Sequence, residues 1–174
     1  MSETPNQNLL EAVLDSWNRN NTILLNLLHA LPEGGLEARA MEGSWSIAVQ
    51  FSHIHATRQF FLSRTAPEIA KDVENLFRQD GDQWLAERDP KRIAHGLTDS
   101  ARAVRDAVKN HIETGQAMKG ANVAYDHPIL LLQHLIWHEG YHVGQMMLAL
   151  KAMGRPMTDQ QAEPVIWGVW RHEW

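Results

Sequence analysis

The sequence predicts an all-α protein, a four-helix bundle, and three observations carry that expectation. Apolar residues recur at helical spacing in four long segments. No segment alternates as a strand should, and no Asn-Gly hairpin or internal repeat interrupts the pattern. The 174 residues, 44% of them hydrophobic and 21% charged, suit a single domain (1–174) with one substantial core.

The first helix follows from Thr4-Pro5, an N-cap with a first-turn proline. Leu9, Leu10, Val13, Leu14 and Trp17 then form a stripe that Ile23, Leu24, Leu27 and Leu28 continue, until LPEGG stops it. A second helix begins near Ser44-Trp45-Ser46 and runs through Leu62. It is apolar on nearly two faces, as a helix with neighbours on both sides must be. Between 66 and 96 the pattern is mixed, with a short helix from Pro67 to Phe77 and a turn at Asp80-Gly81-Asp82. The third long helix spans about Thr98 to Thr114, with Leu97, Ala101, Val104, Val108 and Ile112 inward and Gly115 as its stop. Residues 115–126 read as a loop. The fourth helix starts around Asp126-His127-Pro128 and reaches Met153, closed by Gly154-Arg155-Pro156. A Trp-rich tail, about 157–174, carries Trp167, Trp170 and Trp174 at helical spacing, suited to capping one end of the bundle or sealing a dimer contact.

Composition excludes several classes of function. A formal net charge of −5 without a basic run argues against nucleic acid as a partner. With no cysteine there are no disulfides, thiolate ligands or cysteine nucleophile, which fits a reducing compartment. MSETPNQNLL lacks the basic start and apolar core of a secretory signal, and no apolar run approaches the length of a membrane span. The expectation is a cytoplasmic protein.

Chemistry concentrates in the fourth helix, where HLIWHEGYH places His134, His138 and His142 four residues apart. Neighbours in this series share a helix face and can chelate together. His134 and His142 lie about 12 Å apart along the axis, too far for one ion. At 100° per residue His138 and His142 fall on one apolar line with Leu131 and Ala149, and His134 sits about 60° off it. His138 and His142 are thus the better pair. A third ligand must come from elsewhere, and FSHIHATR of the second helix offers His53 and His55, about 200° apart around the axis. Only one can join the pair, and hydrophobic pattern does not choose between them. Arg58, about 140° from His53, reads as half of a structural ion pair. Gln145, one turn beyond His142, is placed to support a ligand or to bond between helices. Met146, Met147 and Met153 read as core filler.

Taken together, Trp45-Ser46 at a helix start, a histidine eight residues after that tryptophan, and HEGYHVGQ (His138 to Gln145) resemble the DinB/YfiT-like superfamily of bacterial four-helix-bundle proteins. The likeness extends over roughly residues 8 to 153. It implies a divalent metal held by one histidine of the second helix and an HxxxH pair of the last, here His53, His138 and His142. Zinc or nickel is the expected ion. Three imidazoles leave coordination positions open, as a catalytic site requires. The resemblance further implies a small-molecule substrate and either a metal-dependent hydrolase or an S-transferase using a low-molecular-weight thiol such as mycothiol or bacillithiol. It also implies a homodimer.

Two rival readings compete. HEGYH satisfies the H-E-x-x-H pattern of zinc peptidases, with Glu139 as general base. The longer metzincin pattern fails, because Gln145 and Leu148 stand where its glycine and third histidine belong. The other rival is a non-enzymatic, metal-stabilised binding protein.

Overall fold

The computed structural model describes residues 9–171, so Thr4-Pro5 and Trp174 lie outside the described residues. It is mostly helical. Four long helices dominate: α1 (Leu9–His29), α2 (Ile47–Thr65), α4 (Pro90–Glu113) and α5 (Ile129–Ala152). Two short ones, α3 (Pro67–Ala70) and α6 (Asp159–Ala162), follow α2 and α5.

Local chemistry sets the ends. Ser46 caps α2, its side chain accepting from the Val49 N–H, and Asp89 caps α4 with Pro90 in the first turn. The Asp89 cap starts α4 some eight residues earlier than the apolar stripe suggests. Its first two turns carry Lys91, Arg92 and His95 outward and only Ile93 and Gly96 inward, so they show little stripe.

Two antiparallel hairpins correct the expectation of no strands. β1 (Phe77–Asp80) pairs with β2 (Gln83–Ala86), and β3 (Met118–Gly120) with β4 (Val123–Tyr125). Strands of three or four residues are too short for a period of two to show, and most of their side chains are exposed. The second hairpin lies on the C-terminal end of α2, where Met118 is fully buried. A Cβ at Gly120 would stand 1.5 Å from the Arg64 carbonyl oxygen, which only glycine permits. Gly120→Ala should therefore destabilise the protein by roughly 1–3 kcal/mol, read from its urea midpoint.

The helices enclose two apolar clusters separated by a polar layer. One gathers Trp17, Leu62, Val104 and Leu135; the other gathers Leu24, Phe51, Leu97 and Met146. Between them lie the buried Asn20 and Asn21 of α1, Arg58 of α2, Ser100 of α4 and Glu139 of α5. Each long helix contributes to both clusters and to the layer. Arg58 donates through Nε and Nη2 to the two Glu139 oxygens at 2.7 and 2.8 Å. Its Nη1 faces Asn21 Oδ1, Leu97 O and Ser100 Oγ at 2.8–3.2 Å. Asn20 Nδ2 donates to Glu139 Oε2 at 2.5 Å, and the guanidinium lies 4.8 Å from the Trp17 ring centre. The structural ion pair expected of Arg58 is thus present, with Glu139 as its partner.

After α5 the chain turns back. A capping box at Thr158 starts α6, then a π turn (Glu163–Trp167) and a 3₁₀ turn (Gly168–Trp170) run beside α1. Arg19 donates to the Val169 carbonyl at 2.6 Å and Asn26 to that of Val165 at 3.3 Å. The tail packs along the flank of α1 rather than across one end of the helices. Met146 is core, as expected, whereas Met153 stands 36% exposed.

Candidate metal centre

Three histidines from two helices, α2 and α5, converge. The rings of His53, His138 and His142 lie 4.7–5.2 Å apart, centre to centre. Each offers one nitrogen, and the three nitrogens lie within 4.8 Å of one another. His53 Nε2 and His138 Nε2 are 3.2 Å apart. This group could hold a metal ion.

The neighbouring residue explains the aim of the α5 pair. Glu139, tied to Arg58 on α2, fixes the rotation of α5, and His138 precedes it by one residue while His142 follows it by three. On α2, His53 lies five residues before Arg58 and so faces away from that bond, toward the α5 histidines.

His142 Nδ1 is 3.3 Å from Gln50 Oε1. An amide oxygen only accepts, so Nδ1 carries the proton and the Nε2 lone pair is left for the site. Gln50 Nε2 in turn reaches the Trp45 carbonyl at 3.5 Å. The Trp45 ring stacks near-parallel to His142 at 6.2 Å and tilts over His53 at 4.8 Å. The buried His138 Nδ1 has no hydrogen-bond partner among the described residues.

Burial holds all three imidazoles neutral. It lowers the pKa of His53, and it is the largest cause pushing His138 and His142 down to about 4, with neighbouring imidazoles adding to the effect. Neutral nitrogen donors are the form a metal requires, so the donor set fits a divalent ion of borderline softness. The same shifts affect the metal-free fold. The unfolded chain takes up protons near 6.5 and the folded chain only near 4, so stability is lost as pH falls from about 6.5 toward 4. Urea midpoints of metal-free protein should fall over that window, and more gently in a His138→Ala/His142→Ala double variant.

The other two candidate histidines, His55 and His134, are engaged elsewhere. His55 is fully buried on the opposite side of α2, its Nδ1 and Nε2 at 3.0 and 2.6 Å from the Gly96 and Glu74 carbonyls. It joins α2 to α4 and to the segment before β1. His134 is exposed, with Nδ1 2.9 Å from the Tyr125 hydroxyl. Glu139, the general base of the peptidase reading, is 0% exposed and saturated by Arg58 and Asn20. It cannot reach a substrate from there.

The histidines open into a pocket of about 770 Å³. Trp45, Trp137 and Tyr141 wall it, and Ser44 and Gln145 add neutral polar groups. Gln145 thus lines the pocket, while Gln50 contacts the ligand candidate. Sequence reasoning passed over Gln50, and its signal was a lone amide in an apolar run one turn before His53.

Among known proteins, the chain matches the family model described as DinB family, over residues 1–164. No curated protein and no solved structure matches the chain.

Proposed function

Because this chain belongs to the DinB family, we propose that it is a four-helix-bundle metalloprotein acting on a small-molecule substrate. In this reading His53, His138 and His142 hold one divalent ion, zinc or nickel. The observation that carries it is the convergence of three neutral imidazoles, from two helices, at the floor of an open pocket. Three protein ligands leave room for a further one from solution, which favours catalysis over a closed structural site. A divalent ion held there supplies Lewis acidity, polarising a carbonyl or easing loss of a proton from water or a thiol. The protein's own part is orientation: Gln50 fixes the His142 tautomer, and Trp45 covers two of the rings.

A metal-dependent S-transferase or hydrolase is the reaction class we favour. The zinc-peptidase alternative has lost its base, since Glu139 is committed to Arg58. Bacillithiol, mycothiol, glutathione and cysteine, each offered with a chlorodinitrobenzene acceptor, provide the test, alongside a nitrophenyl ester for hydrolysis. At least one should turn over with metal-loaded protein and none with metal-free protein. No turnover of any, with the ion fully loaded, would leave the non-enzymatic binding reading in possession.

A further inference from the structure

We infer that the histidine pocket selects a planar aromatic substrate bearing no charged group beyond the one that meets the ion. The inference rests on the reading of this pocket as the reaction site. It is carried by the pocket walls, of which the metal argument uses only Trp45. Trp45, Trp137 and Tyr141 are 48%, 74% and 56% exposed, large apolar rings left in water at one mouth. Scattered exposed aromatics are ordinary, but a cluster around a cavity marks a contact surface.

Their arrangement is that of flat plates. Trp137 and Tyr141, one helical turn apart on α5, stack at 6.4 Å with 10° between planes. Tyr141 meets the His142 ring edge-on at 5.3 Å, and Trp45 lies near-parallel to that same ring at 10°. Both aromatic walls are therefore indexed to one histidine. Offset stacking on such faces favours a flat π-system over an aliphatic group of equal size.

Charge narrows the class further. None of the residues lining the pocket is Asp, Glu, Lys or Arg, and its side-chain polar groups besides the imidazoles are two hydroxyls, two indole N–H groups and one amide, all neutral. A molecule with two or three carboxylates would give up water there without gaining a counter-charge. A thiol of that kind is better placed with its sulfur inward and its acids in solvent, leaving the aromatic walls for the second substrate.

Binding of matched probes separates this inference from the metal reading. On zinc-loaded protein, benzohydroxamate should bind about tenfold tighter than acetohydroxamate by titration calorimetry, and tighter than cyclohexanehydroxamate, the gain expected of one stacked pair. Trp137→Ala/Tyr141→Ala, which changes only exposed side chains, should bring the ratio close to one with zinc content unchanged. The chelator-free probe 2-naphthol should bind metal-free protein and lose that binding in the same variant. Naphthol binding that depends on Trp137, in protein that takes up no zinc, would support the aromatic pocket while removing the metal. A hydroxamate ratio below about threefold, or one indifferent to the double substitution, overturns the inference. So would a monomer–dimer equilibrium abolished by Trp137→Ala in protein showing no preference for the ring, because the plates would then serve a second copy.

Discussion

Glu139→Leu, with Arg58 left in place, should cost about 3–5 kcal/mol of folding stability. The arginine is 0% exposed; four of its hydrogen bonds run to the layer that separates the two apolar clusters, and a fifth to the Leu97 carbonyl. Removing the carboxylate strands a buried positive charge and leaves Asn20 Nδ2 without its acceptor. Arg58→Met/Glu139→Leu removes both charges and should regain much of that loss, because an apolar pair of similar volume avoids the desolvation of two ions. Urea denaturation of the single and double variants measures both. A single-variant loss under about 1 kcal/mol would mean that water reaches the layer, and the account of how α5 is rotated would fail.

The second large effect falls on metal affinity. Removing an outer partner of a metal-bound histidine typically costs tenfold to a hundredfold, so Gln50→Ala should weaken zinc binding by about that factor. Loss of a histidine removes the donor itself. His53→Ala, His138→Ala and His142→Ala should each weaken binding by on the order of a hundredfold or more. His134→Ala should change nothing, since that ring is exposed and paired with Tyr125. Competition titrations against a chromophoric chelator read all five variants on one scale.

Much of this was legible in the sequence, for reasons that differ by element. The long helices carry 19 to 24 residues each, enough for their apolar stripes to declare themselves. The preference for His138 and His142 over His134 needed only the geometry of one helix. Choosing His53 over His55 needed the family resemblance, because both are flanked by apolar residues and periodicity does not tell which side of α2 meets α5. His55 satisfies both ring nitrogens with carbonyls that are distant in sequence, at Gly96 and Glu74. Arg58 announced an ion pair but not its partner, 81 residues away. Glu139 was misleading for a related reason. Its position in HEGYH fits a catalytic pattern, and only the packing of four helices turns it inward. The hairpins were hidden by brevity.

Elemental analysis of protein purified without a nickel column, dialysed against zinc and then against buffer, decides whether the three histidines hold an ion. About one divalent ion per chain is expected in the wild type, and under a tenth of that in each of His53→Ala, His138→Ala and His142→Ala. A wild type that retains no ion, or a His53→Ala variant that retains a full one, would contradict the three-histidine site.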